Sequence, residues 1–125
     1  HSYCGNPLGA AVAREVLRVF RDEQVLEQLK PKAERIARAF ENMRGLSGVV
    51  RSRSCGMIGA LDTSAEAGYL GGIGWRVYAE ARKRGAYLRP LGDVVYVAPP
   101  VNIADTDLEM LLNIVEESVR AATAV

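Results

Sequence analysis

The residue types that carry most enzyme chemistry are sparse in this chain. Its single histidine is His1, and its lysines are Lys30, Lys32 and Lys83. Each lysine falls on the polar side of its segment, the place of a solvated ammonium rather than of a desolvated amine ready for Schiff-base work. Cys4 and Cys55 lie far apart and outside any metal-ligand spacing. Cys4 reads as a small buried filler. Two such cysteines suit a reduced, intracellular setting, with a single bridge as the alternative. There is no carboxylate pair, Cys/His couple or GxxxxGK phosphate loop. What remains is one arginine in an unusual place. In "AYLRPLGDVVYVAPP" (86–100), Arg89 stands between Leu88 and Pro90 at the mouth of an expected apolar hairpin with a Pro/Gly turn. A guanidinium there offers a planar five-donor fork that can grip a carboxylate bidentately. A surface pair with Asp93 is the other reading. Arg51 and Arg53, two apart on an expected strand, share one face, which is expected to be solvated.

The elements that would position Arg89 follow from periodicity and punctuation. "GNPLGAAVAREVLRVFRDE" predicts a helix with Asn6 as N-cap and Pro7 at its first position. Leu8, Val12, Val16 and Val19 form its apolar stripe, opposite Arg14, Glu15, Arg18 and Arg21. A second helix carries Leu26, Leu29, Ala33, Ile36, Phe40 and Met43 at alternating steps of three and four. Pro31 bends that helix or marks its start, and Gly45 ends it.

"GVVRSRSCGMIGALDT" predicts two short strands broken at Gly56, either a pair or one bulged strand. The join "GYLGG" reads as a connector rather than a phosphate cradle. From about Ile73 to Arg84 a helix is expected, with Ile73, Val77 and Ala81 inward and Gly85 closing it. The hairpin with Arg89 follows. The last helix is expected to start with a capping box, Thr106 with Glu109, and to bury Leu108, Leu111, Leu112, Val115 and Val119. These elements predict an α+β domain: an antiparallel sheet of three or four strands with helices on one face.

Length and composition fit that reading. A chain of 125 residues, 49% hydrophobic and 25% charged, can bury a core of its own. A formal charge of +1 gives no electrostatic footprint for nucleic acid or an anionic membrane. No apolar run approaches the roughly 18 residues of a membrane span, and no signal peptide is seen. The chain begins at His1 in what looks like a functional loop, which suggests a piece of a longer protein.

Two segments together carry a family resemblance. "HSYCGNPLGAAVA" resembles the H-[ST]-[FY]-x-G-[NH]-P-x-x-x-A-x-A segment of the class III, pyridoxal-phosphate-dependent aminotransferases. "RGAYLRPLGDVVYVAPPVNIADTDLEML" resembles the C-terminal part of the same family, its wording most like the diaminopelargonate-forming branch. The resemblance covers nearly the whole chain, in order, and implies the last quarter to third of such an enzyme. It implies that residues 1–22 are the loop and long helix leading out of a large cofactor domain, and that residues 23–125 are the small C-terminal α+β domain of a fold-type I aminotransferase.

Function and site residues then follow as what the resemblance implies. The parent enzyme would be a cytoplasmic homodimer transferring an amino group from S-adenosylmethionine to 8-amino-7-oxononanoate in biotin synthesis. Other class III members, acting on ornithine-like or ω-amino acid substrates, are the alternative, as is a non-catalytic α+β binding or dimerisation module. Ser2 matches a Ser/Thr whose hydroxyl and amide hold the pyridoxal phosphate group of the partner subunit. A short hydroxyl ahead of a helix start has the chemistry for that, although it also serves as loop filler. Tyr3 matches an aromatic position beside the cofactor, or packs as core. Arg89 matches the arginine that meets the carboxylate of the amino acceptor. The Schiff-base lysine, the aspartate under the pyridine nitrogen and the aromatic shelf over the cofactor would all precede His1. The chain alone is therefore expected to hold no cofactor and to be inactive.

Overall fold

The computed structural model describes residues 5–63 and 72–124 of the chain. His1, Ser2, Tyr3 and Cys4 lie outside the described residues, as does most of the "GYLGG" join. Helix α1 spans Pro7–Asp22 and α2 spans Val25–Met43. Strands β1 (Arg51–Cys55) and β2 (Ile58–Asp62) form a tight hairpin. Helix α3 (Ile73–Lys83), strand β3 (Val94–Val97) and helix α4 (Asp105–Thr123) complete the order. The sheet is antiparallel throughout, β1-β2-β3, with Leu61 opposite both Ser52 and Val95 and Gly59 opposite both Ser54 and Val97. This is the expected α+β domain, with three strands.

Side-chain alternation sets the two faces of the sheet. Leu61, Val95 and Val97 point into one core with Ile36, Phe40 and Met43 of α2, Val77 and Ala81 of α3, and Leu108, Leu112, Val115 and Val119 of α4. Phe40 lies over Gly59, whose missing side chain makes room for the ring. The Ser52 hydroxyl donates to the Phe40 carbonyl at 2.7 Å, so α2 is tied to β1 by a polar link as well. Lys32 donates to the carbonyl of Ile103 at 2.7 Å, and Arg35 pairs with Asp105 at 3.4 Å, fixing the entry of α4 against α2. Arg84 joins α3 to α4, with Glu80 at 2.7 Å and Glu117 at 3.3 Å.

Several local expectations hold for the reasons given. The Asn6 side chain accepts from the Leu8 amide at 3.1 Å, with Pro7 at the first helical position. Ile73 is half-buried, while Val77 and Ala81 are fully buried as the helical spacing requires.

The apolar stripe of α1 keeps its face, yet no residue of α1 is buried: Leu8, Val12 and Val16 stand exposed, and only Val19 and Phe20 are half-buried. Other expectations are corrected. Pro31 sits inside α2 rather than at its start, and Val25 is buried where Leu26 was expected. The capping box is not formed. Helix α4 begins at Asp105 behind Ala104, which leaves Thr106 inside the first turn where its hydroxyl caps nothing. Asp105 and Asp107 complement the helix dipole there instead. The hairpin at 86–100 is only half a hairpin: residues 86–90 form no ladder strand, and a single bridge joins Leu91 to Val94. Pro90, which has no N–H to give, ends any pairing there.

Candidate functional site

Segment 86–91 keeps strand-like alternation without strand pairing. Ala86, Leu88 and Pro90 are buried, while Tyr87, Arg89 and Leu91 are exposed. Arg89 therefore emerges from an anchored backbone beside Tyr87. Among the described residues its guanidinium makes no hydrogen bond and no salt bridge, although most other arginines of the chain are paired. It lines a mainly apolar cavity of about 370 Å³ with Tyr87, Leu88, Pro99, Ile103 and Leu111, and it is the one charged side chain among the described residues lining it. A larger hollow of about 520 Å³ between Arg14 and Arg21 is walled by the exposed flank of α1 alone, so it is a surface groove.

The surroundings of Arg89 are built from both sides. Tyr87 meets Tyr78 of α3 edge-on with ring centroids 5.6 Å apart, and Tyr78 meets Trp75 in the same way at 5.6 Å. The Arg82 guanidinium lies 5.8 Å from the Tyr78 ring. Edge-to-face pairs of this kind hold rings in fixed relative orientation. The sequence reading passed over this row, although Trp75 and Tyr78 stand three apart on one helical face.

Asp93 does not pair with Arg89. It is buried, and its carboxylate accepts from the Ile73 amide at the start of α3, 3.3 Å away. Its backbone carbonyl accepts from both the amide (2.9 Å) and the hydroxyl (2.7 Å) of Thr63. The surface pair considered from sequence is thus excluded by Asp93 being engaged elsewhere.

Arg51 and Arg53 do share one face of β1, as the alternation requires, but that face is not merely solvated. Both grip the carboxylate of Asp62 on the neighbouring strand, Arg51 through Nε at 2.6 Å and Arg53 through Nη1. Burial alone would push this carboxyl up. Hydrogen bonds from Arg53 and Arg51 outweigh it and hold Asp62 below the usual carboxylate range. Period-two spacing gave the shared face, but the cross-strand partner became visible only with the register.

Neither Cys55 nor the lysines add chemistry among the described residues. Cys55 is a free, exposed thiol at the β1–β2 turn, and no group of three metal-ligating side chains occurs among the described residues. Lys30 and Lys83 are exposed and paired with Glu27 and Glu80, and Lys32 is held by the Ile103 carbonyl. No lysine lies in a buried, unpaired setting, so these residues do not fit a Schiff-base anchor. No helix among the described residues is long and apolar enough to cross a membrane.

Aminotransferase class-III matches residues 1–119 of the chain. The chain belongs to the class III aminotransferase family. A module that shared only the topology would not match the family's sequence over nearly its whole length. The adenosylmethionine-8-amino-7-oxononanoate aminotransferase of Nitratidesulfovibrio vulgaris is 37% identical over 98% of this chain and 24% of its own length. The protein of the same name from Synechococcus elongatus is 39% identical over 87% of this chain and 26% of its own length. The crystal structure of adenosylmethionine-8-amino-7-oxononanoate aminotransferase from Methanocaldococcus jannaschii superposes with a TM-score of 0.86 at 26% identity, covering 99% of this chain and 30% of that one. The chain thus spans about a quarter of the length of the curated relatives it matches.

Proposed function

We propose that this class III chain supplies the small domain, and with it the acceptor-carboxylate contact, of a pyridoxal-phosphate-dependent aminotransferase. The reaction is transfer of an amino group from S-adenosylmethionine to 8-amino-7-oxononanoate. One observation carries the reading: Arg89 is exposed, without a partner among the described residues, at the edge of an apolar cavity and on a backbone anchored by buried neighbours. Such a guanidinium is pre-set to take a carboxylate whose remainder is aliphatic. The names of the relatives from Nitratidesulfovibrio vulgaris and Synechococcus elongatus support the choice of donor and acceptor.

Pyridoxal phosphate supplies the electron sink in such enzymes. The lysines here do not fit its anchor, so no step is assigned to them, and the anchor belongs to the rest of the parent enzyme. Ser2, with Tyr3 beside it, is assigned to the phosphate group of the partner subunit's cofactor, which makes the parent a two-fold homodimer. It works in the cytoplasm. The exposed stripe of α1 supports a boundary near residue 22, because an amphipathic helix with no buried residue has its apolar side free for another part of the parent enzyme.

The test is acceptor selectivity in the full-length enzyme. Losing a charge-assisted contact to carboxylate costs roughly 1.5 to 3 kcal/mol, so Arg89→Ala should lower kcat/KM for the carboxylate acceptor about 10- to 150-fold. An analogue with a neutral amide in place of the carboxylate should be nearly indifferent to the change. Equal losses on both acceptors would show that Arg89 serves the fold or the cofactor instead.

A further inference from the structure

The turn that carries Arg89 is fastened at its far end in two independent ways. Asp93 places its buried carboxylate on the first amide of α3, at Ile73, while its carbonyl takes both donors of Thr63 at the end of β2. One residue thus ties the turn to a helix start and to the middle strand of the sheet. The second fastening is steric. Gly74, buried in the first turn of α3, lies so close to the turn that a Cβ built on it would stand 2.0 Å from the Gly92 carbonyl oxygen and 3.0 Å from Cβ of Pro90. No side chain fits there. Helix and turn thus pack closely at the Gly92 backbone, three residues beyond Arg89, and at the Pro90 ring, one residue beyond it.

We propose that Asp93 and Gly74 are positioning residues for Arg89: they lock Pro90–Asp93 onto the start of α3 and so fix where the guanidinium stands. The inference rests on Arg89 being the acceptor-carboxylate contact. A long side chain has many rotamers, and a carboxylate gripped by two N–H groups tolerates little displacement. Fixing the backbone at both sides of Arg89, through buried Leu88 and Pro90 and then through Asp93, removes the largest of these freedoms before the acceptor arrives.

In the full-length enzyme, Asp93→Ala should raise KM for the carboxylate acceptor about tenfold while leaving the rate of the half-reaction with the amino donor unchanged. Asp93→Asn keeps the accepting oxygen and should restore KM to within about twofold of the parent, since Asn and Asp serve helix starts equally well. Gly74→Ala should raise the same KM. Placed on an Arg89→Ala background, Asp93→Ala should add no further loss, because the group through which it acts is gone. A parallel NMR measurement of the Arg89 side-chain Nε–H should show greater mobility in Asp93→Ala than in the parent. An unchanged acceptor KM, a fall in donor and acceptor rates alike, or a further loss on the Arg89→Ala background would overturn the proposal. Should Arg89→Ala itself fail to discriminate the carboxylate acceptor from its amide, the carboxylate reading falls. The Nε–H measurement then decides the positioning claim alone: unchanged mobility sinks it.

Discussion

A Cβ on Gly59 would stand 2.5 Å from the ring of Phe40. Phe40 is fully buried at the centre of the core, between α2 and the sheet, so the ring has nowhere to retreat. The absence of a side chain at Gly59 thus sets how closely α2 lies on β2. Gly59→Ala should destabilise the fold by about 1 to 3 kcal/mol, the usual cost of overpacking. Chemical denaturation should show this as a lower midpoint with an unchanged slope. A midpoint equal to the parent's would mean that α2 moves away at no cost.

Asp62 gives the fold a defined pH dependence. Its folded-state pKa is held below the ordinary value, burial acting upward and the hydrogen bonds of Arg53 and Arg51 acting downward more strongly. A depressed carboxylate pKa contributes stability that is present above the unfolded-state value, near pH 4, and is lost as pH falls through the folded-state value. Stability should therefore decline on acidification below about pH 4, and Asp62→Asn should flatten that decline. Both arginines are well exposed, so screening keeps the effect modest: at neutral pH Asp62→Asn should cost on the order of 1 kcal/mol. Urea titrations of parent and variant at pH 3 and pH 7 give the comparison. Parallel losses in the two proteins would assign the acid sensitivity elsewhere.

Arg89→Lys separates charge from fork. An ammonium keeps the positive charge at the cavity but cannot present two parallel donors. In the full-length enzyme it should recover part of the acceptor kcat/KM lost in Arg89→Ala, remaining at least about fivefold below the parent. Steady-state kinetics with the carboxylate acceptor measure this, and full recovery would show that a point charge suffices.

Ser2 is tested by complementation. A full-length variant without the Schiff-base lysine and another with Ser2 replaced by a bulky residue should each be inactive. Hybrid dimers of the two should regain partial activity, since one of their two sites is assembled from intact halves. Hybrids that form and remain inactive would place Ser2 and the lysine in the same subunit's site.

Much of the framework was determined by sequence alone, because it depends on short-range physics. The cap at Asn6 with Pro7, the inward row Ile36, Phe40 and Met43, and the two strands around Gly56 each follow from spacing and backbone preference within a few residues. Arg89 was legible as an oddity for the same reason: a guanidinium between an apolar residue and a proline has no local structural purpose. The family resemblance then pointed to a substrate carboxylate for it, while the match over residues 1–119 shows the family itself.

Only the tertiary structure decided who meets whom. Asp93 looked like a neighbour for Arg89 because it is four residues away, yet twenty residues back along the chain Ile73 offers a helix-start amide, which a buried carboxylate satisfies better than an exposed side chain could. Arg51 and Arg53 looked solvated until the strand register set Asp62 opposite Arg51 and within diagonal reach of Arg53. The capping box at Thr106 failed because the entry of α4 is fixed from outside by Lys32 and Arg35 of α2, more than sixty residues earlier. The stripe of α1 is correct in its periodicity and still unburied, since periodicity defines a face but not what covers it. In the first three cases the deciding partner is distant in sequence, and local pattern carries no information about a contact until the chain has closed the loop between the two.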